Sequence, residues 1–433
     1  MVFLLVTSIN GCDPFVVSSH MKRVLIHTLI FSPDGVSSAY LYNDIALRLQ
    51  QRGYEVVVLT TTPHFNIVPE QVEKQPMRWK VWGFCKVSNY HGMTVLHVPQ
   101  KKFKSTALRL LGFAYWHVVS FFIGLAIRNV DLILSPSPPL TIGMLNIWLA
   151  KLKRCRVVYN VQEIYPDILK LQGGLTLKFL SWMERKVYNG SDAVTTIDQV
   201  FRDTIEPRFK DKSRLHIIPN FVDTDLYREI GDGEIAGLLD SSMFPRTDSL
   251  KLLYAGNIGL AQSWEPLIEL AHRTRDLNVE YIVIGEGAKR GYVEEEIKKR
   301  GLAKLHLLPY QPRELMPAIL SYSDASFIFM APETDGDGFP SKVYTIMACQ
   351  RPLLVMSGVG TPIVNFLSDK GCAKLLTDRD FERKVSEAAA WLGRVSRDEL
   401  RAMGRNGLAE IKAKYTKESV TDLYVDLVDT LIK

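Results

Sequence analysis

One pattern in this chain starts twice, and it limits the fold more than anything else. The apolar run RVLIHTLIF (23–31) leads into the turn SPDGVSSAY, then the helix AYLYNDIALRLQQRG, and after Gly53 a second apolar run, EVVVLTT. Strand, glycine-bearing loop, helix, strand is how an open parallel sheet with crossover helices begins. The series continues through DLILSPSP, RVVYNVQE, SDAVTTID and LHIIPN. At LKLLYAGNIG (250–259) it starts afresh, followed by VEYIVIGEG, LHLLPY, ASFIFMA and RPLLVMS. Two doubly wound α/β units are therefore predicted. The glycine- and acid-bearing stretch after IIPNFVDTDLYREI reads as their connection. The expected division is an extension over 1–20, a first domain over 21–225, a linker over 226–249, a second domain over 250–407 and closing helices over 408–433.

A length of 433 residues suits two domains with separate cores, and an apolar share of 47% with 23% charged residues is that of a globular protein. The five cysteines show no CxxC or CxxH spacing, which argues against a disulfide framework or a zinc site and fits a reducing cytosol. No lysine or arginine precedes the apolar run in the first twenty residues, so a secretory signal is not expected and Met21 reads as a natural beginning. Charge is uneven: residues 1–225 carry +9 and the remainder −3. A basic front half suits an anionic partner. No nucleic-acid-binding motif accompanies the charge. Open α/β sheets bind ligands outside the carboxyl ends of their strands, so two facing sheets would share a cleft.

Three landmarks, IIPNFVDTDLY, YAGNIG and IGEGAKR, occur in order and at characteristic spacing. With them the chain resembles family 4 glycosyltransferases, retaining enzymes of the GT-B fold. SPSPPLTIG and VYNVQEIYPDI resemble more narrowly the branch that builds bacterial surface polysaccharides such as O-antigen and capsule. The resemblance implies two Rossmann-like domains facing a cleft, with a C-terminal helix packing back toward the first. It also implies transfer of a hexosyl or N-acetylhexosaminyl group from a nucleotide donor, UDP being the commonest, with neither metal nor other cofactor. The donor would sit on the second domain. The acceptor, polyprenyl-diphosphate-linked or an oligosaccharide, would sit on the first.

A nucleotide-sugar presents a diphosphate on which charge grows as the glycosidic bond breaks, so backbone N–H groups and cations are needed there. YAGNIG supplies Gly256 and Gly259, while Asn257 and Gln262 stand where the family usually has an arginine and a lysine. Gly285, Glu286, Gly287 and Lys289, with Arg290 beside them, form a second glycine loop. Lys342 heads the helix SKVYTIMA, where the helix dipole disfavours a cation unless an anion is bound. From the stretch DGDGFPSKVYT, Gly338, Phe339, Ser341, Tyr344 and Thr345 complete the donor candidates. In the family pattern Asp337 replaces the first glutamate and Thr345 the second, which normally holds the ribose. Asp337 and Lys342 are assigned catalytic roles. Asp335-x-Asp337 and Asp223-x-Asp225 spell DxD, but an EF-hand would need a glutamate where Ile346 stands, and no metal is expected.

In the first half, Gly35 with Ser37 and Ser38 would face the diphosphate, Val36 filling the place of a second glycine. Glu163, at the end of an apolar strand, is the third catalytic candidate, to orient the acceptor or take its proton. Asp167 either shares that role or caps a helix. From Lys74 to Val130 there are nine basic residues and no acid, interleaved with aromatics. Residues 110–127 are apolar enough to span a bilayer, yet the next strand must return to the same core. The region is therefore expected to dock on an anionic membrane surface, placing the protein in the cytoplasm at the inner face of the plasma membrane. Two rival readings are a nucleotide-sugar 2-epimerase of the same fold and a catalytically silent subunit of a polysaccharide assembly complex.

Overall fold

A computed structural model describes residues 21–67, 69–80, 83–100, 105–169, 173–332 and 339–432. The expectations placed on 1–20, Asp335, Asp337 and Gly338 lie outside the described residues. The chain divides into two compact units: one holds the described residues up to Asn220 and from Glu418 onward, the other runs Phe221–Lys417.

In the first unit, strands β1 (Arg23–His27), β2 (Glu55–Thr61), β3 (Arg78–Lys80), β4 (Cys85–Tyr90), β5 (Met93–Val98), β6 (Leu132–Pro136), β7 (Arg156–Val161), β8 (Ala193–Thr196) and β9 (Leu215–Ile217) form one sheet in the order β3-β4-β5-β2-β1-β6-β7-β8-β9. The strands from β5 to β9 are mutually parallel. Val24, Leu25 and Ile26 are fully buried, as expected of a strand covered on both faces. The helices are α1 (Ser37–Gln51), α2 (Pro69–Lys74), α3 (Thr106–Ala126), α4 (Leu140–Lys153), α5 (Gly174–Gly190) and α6 (Gln199–Ile205). One departure from the parallel expectation is the antiparallel edge β3–β4–β5. Its tight turn places His91 and Gly92 both at positive φ, the conformation that suits a two-residue hairpin.

The second sheet contains β10 (Leu250–Ala255), β11 (Val279–Ile284), β12 (Leu305–Leu308), β13 (Ala325–Phe329), β14 (Leu353–Met356) and β15 (Ala373–Leu376), all parallel, in the order β12-β11-β10-β13-β14-β15. Its strands bury both faces. Leu253, Ile282, Ile328 and Val355 point into one core layer, and Leu252, Val283, Phe327 and Leu354 into the other. Helices α7 (Asp232–Leu238), α8 (Glu265–Arg273), α9 (Arg290–Arg300), α10 (Met316–Tyr322), α11 (Lys342–Ala348), α12 (Pro362–Leu367), α13 (Phe381–Leu392) and α14 (Arg397–Lys414) belong to this unit. The stretch expected to be a linker contains α7, and Ile235, Leu239 and Phe244 are buried in the core of this unit. Sparse but well-spaced apolar side chains were enough to dock it.

The last helix, α15 (Lys417–Ile432), packs on the first unit and buries Val420, Tyr424, Val425 and Val428. Arg48 and Arg52 hold Asp422 at 2.6 and 2.8 Å. Asn160, at the end of β7, donates to the Tyr424 hydroxyl at 2.9 Å and accepts from Tyr42 at 2.6 Å.

Candidate active site

In the second sheet the connections run one way from β10 and the other way from β13, so the strand order reverses between these neighbours. A ligand of an open α/β sheet binds in the crevice beyond the carboxyl ends at such a switch point. Lys342 stands there. It is the first residue of α11, and its Nζ crosses to donate to the Ala255 carbonyl at the end of β10, at 3.1 Å. The same ammonium lies over the Tyr254 ring, 4.1 Å from the centroid, a cation–π contact. Burial lowers its pKa to about 8. Within the described residues no carboxylate pairs with it.

The two glycine turns are locked together. Gly256 N donates to Ile284 O at 3.0 Å, Ile258 N to Glu286 O at 2.8 Å and Lys289 N to Ile258 O at 2.9 Å. A Cβ on Gly285 would lie 1.9 Å from the Gly256 carbonyl oxygen, and one on Gly287 would lie 2.3 Å from that of Ile258. Neither backbone oxygen can yield, and φ values of +146° and +154° belong to glycine in any case. The amide of Asn257 fills the space between Gly259 and Gly287. The Tyr254 hydroxyl donates to the Asn257 carbonyl at 2.8 Å, and Trp264 Nε1 to that of Gly259 at 3.2 Å. Gln262 Oε1 is buried with no hydrogen-bond partner among the described residues.

The other donor candidates are spread over several tasks. Lys289 sits at the start of α9 with its Nζ 5.1 Å from the Tyr292 ring centroid. Arg290 ties the loop down by donating to the carbonyls of Gly285 at 2.6 Å and Leu308 at 3.0 Å. The Glu286 carboxylate turns outward to Arg290 at 3.6 Å. Ser341 occupies the N-cap position of α11 without a side-chain cap. Phe339 and Tyr344 pack edge-on against Phe366 in an aromatic cluster at the entry to α11. Tyr344 is buried in the core. The Thr345 hydroxyl donates back to the Lys342 carbonyl at 2.9 Å and is engaged within its own helix.

In the first unit, Gly35 N donates to Asn66 O at 3.2 Å and the Asn66 amide returns a bond to Gly35 O at 2.7 Å. The buried Asp34 carboxylate takes the N–H groups of His64 and Phe65 at 2.9 and 2.8 Å, fixing the loop before α1. Ser37 opens α1 behind an N-cap, Val36, that offers no side-chain acceptor. Glu163 follows β7, and burial raises its carboxyl above the ordinary range. Asp167 opens a short 3₁₀ turn and pairs with Arg208, so it serves structure. Tyr254 and the Ala255 carbonyl were missed in sequence. Nothing in an apolar strand shows that its last residues will receive a lysine from 87 positions away.

Two Rossmann-type units in tandem are the GT-B architecture. The family models agree: residues 39–226 match Glycosyltransferase Family 4 and residues 241–371 match Glycosyl transferases group 1. The chain thus carries a glycosyltransferase family 4 domain followed by a glycosyl transferases group 1 domain. It is 26% identical over 345 residues to the Escherichia coli (strain K12) colanic acid biosynthesis glycosyl transferase WcaI, covering 75% of this chain and 81% of that one. Among solved structures it resembles Anabaena HepE in complex with UDP and glucose, with a TM-score of 0.70 and 14% identity over 95% of this chain and 100% of that one. Sucrose-phosphate synthase from Thermosynechococcus elongatus gives a TM-score of 0.70 at 12% identity, over 95% and 99% of the two chains.

Proposed function

We propose that the protein transfers a hexosyl or N-acetylhexosaminyl group from a UDP-sugar to a lipid-linked or oligosaccharide acceptor during surface-polysaccharide synthesis, with retained anomeric configuration and without a metal. The observation that carries this reading is the Lys342 ammonium at the switch point, held by Ala255 O and the Tyr254 ring with no carboxylate partner among the described residues. A cation kept in that state at a helix start suits an anion arriving from solution. HepE, of the same fold, holds UDP, and WcaI is named for colanic acid synthesis.

In the reaction the bond between the anomeric carbon and the diphosphate oxygen breaks, and the electron pair stays on the diphosphate. Lys342 and neighbouring N–H groups stabilise that charge. The acceptor hydroxyl attacks the same face and its proton passes to the departing phosphate oxygen. Glu163 is assigned to orient the acceptor hydroxyl. The protein works in the cytoplasm at the inner membrane face. Incubation with a panel of labelled UDP-sugars and a polyprenyl-diphosphate acceptor, with and without EDTA, tests this. Retained transfer that survives EDTA is expected. Binding of UDP without transfer to any acceptor would point to a silent subunit, and interconversion of the donor sugar alone would point to an epimerase.

A further inference from the structure

Three neighbouring helices of the first unit turn an apolar face outward. On α3, Leu108, Leu111, Tyr115, Val118 and Phe122 follow one another at three- and four-residue steps, and all five are exposed. That spacing draws a single stripe along the helix. The opposite side of α3 is closed: Trp116 and Ile123 are buried against the sheet with Leu25, Leu59 and Ile133. Helix α4 packs beside α3 and exposes Trp148 and Leu152; α5 packs beside α4 and exposes Leu175, Phe179 and Trp182. Between them lies an apolar groove of about 390 Å³ lined by His117, Val118, Phe122, Met144, Trp148 and Met183. Ten large apolar side chains on three neighbouring helices are thus exposed together, the kind of patch that marks an interaction surface.

The charges on these helices are of one sign. Together α3, α4 and α5 carry six basic residues and one acid, Glu184. Glu184 is buried and bonded to Arg208. Lys151, Lys178, Arg185 and Lys186 are exposed and lie three or four residues from the exposed aromatics, so they rim the same face. Lys186 reaches over the Trp182 ring at 5.9 Å, and Phe179 stacks on Trp182 at 5.8 Å. A second copy of the chain would set these cations against themselves. An anionic bilayer matches both features: acyl chains accept the leucines and rings, and headgroups accept the lysines and arginines.

We infer that the α3–α4–α5 face is a membrane-seating surface, which lies in the outer boundary of an anionic bilayer with Trp148, Phe179 and Trp182 as anchors. The inference deepens the membrane-located reading above and moves the contact from the basic stretch 74–130 to a three-helix platform that includes α4 and α5. A helix held to the sheet by Trp116 and Ile123 lies on the membrane and does not cross it.

Vesicle flotation of the full chain tests the surface, using neutral phosphatidylcholine vesicles and vesicles with a phosphatidylglycerol fraction. UDP binding, followed by thermal shift, is measured in parallel. Wild type should float at least tenfold better with the anionic vesicles. The double substitution F179E/W182E should lower that partitioning at least tenfold, as should W148E to a smaller degree. K178E/K186E should remove the preference for anionic lipid, at about fivefold per charge removed. All these variants should keep the wild-type UDP shift and the wild-type circular-dichroism melting profile, the latter showing that the first unit folds. Equal, weak flotation of wild type on both vesicles overturns the inference, as does unchanged binding by F179E/W182E. A wild-type dimer in sedimentation equilibrium that F179E/W182E converts to monomer also overturns it. Vesicle binding without any UDP shift would retain the surface and remove the donor reading.

Discussion

Replacing Lys342 with methionine should change both the affinity for diphosphates and its response to pH. In the empty protein, burial holds this lysine at a pKa of about 8, against an ordinary 10.5. It is then about 90% charged at pH 7 and about 10% charged at pH 9. If UDP binds the charged form, its affinity falls about tenfold across that interval, or about 1.4 kcal/mol. Binding in turn stabilises the ammonium, so proton uptake should accompany association near pH 8. Titration calorimetry in buffers of different ionisation enthalpy reads both quantities. The methionine variant should bind UDP ~10- to 100-fold more weakly at pH 7, the range for a lost hydrogen bond to a charged group, and should show no decline toward pH 9. A second consequence concerns folding. Because the folded pKa is depressed, the charged lysine destabilises the empty protein by about 3 kcal/mol at most below pH 8, and the cost disappears as pH rises toward 10.5. Lys342→Met should therefore raise the unfolding temperature at pH 7 while weakening UDP. Equal wild-type affinity at pH 7 and 9, or unchanged UDP binding in the variant, would refute the reasoning.

Three further outcomes are expected. Glu163→Gln should lower the transfer rate by about 100-fold with UDP affinity unchanged, since the carboxyl acts on the acceptor; a comparable loss of UDP binding would remove that role. Gly285→Ala drives a Cβ to within 1.9 Å of the Gly256 carbonyl oxygen, and should cost at least ~3 kcal/mol in urea unfolding and abolish the UDP-dependent thermal shift. Asp422, whose pKa Arg48 and Arg52 hold down at about 2, stabilises the fold above its unfolded pKa near 3.8 and loses that effect as pH falls toward 2. For this partly exposed group Asp422→Asn should therefore cost ~1 kcal/mol at pH 7 and progressively less below pH 4, as measured by denaturant midpoints.

How far the sequence led depends on how local each feature is. Parallel strands such as 24–26 and 252–255 announce themselves by unbroken apolar runs, so both sheets could be read directly. The position of Lys342 was legible because a cation at a helix start is anomalous in itself. Its partners were not, because Tyr254 and Ala255 look like ordinary strand residues. YAGNIG and IGEG were read as phosphate cradles. The structure adds a reason internal to the protein, since the carbonyls of Gly256 and Ile258 occupy the space where a Cβ on Gly285 or Gly287 would stand, and Lys342 Nζ fills that of one on Gly256. The segment 226–249 misled through composition: a few apolar side chains at the right spacing, Ile235, Leu239 and Phe244, sufficed to fold it into the second core. The outward face of α4 and α5 was invisible because exposure of Trp148 or Trp182 depends on what packs nearby, which periodicity alone does not show.

The pairing of Val222 with Tyr415 and Lys417 brings the outgoing and returning segments side by side, and the final helix then completes the first unit. Synthesis order and assembly order therefore differ. Residues 21–220 leave the ribosome early yet cannot bury Tyr42 and Asn160 against Tyr424 until the last stretch of chain has been made. The unit Phe221–Lys417 is continuous in sequence and complete once Lys417 has been made. A stop codon after Lys417 would spare the nucleotide-type sheet nearest to it and cripple the more distant one.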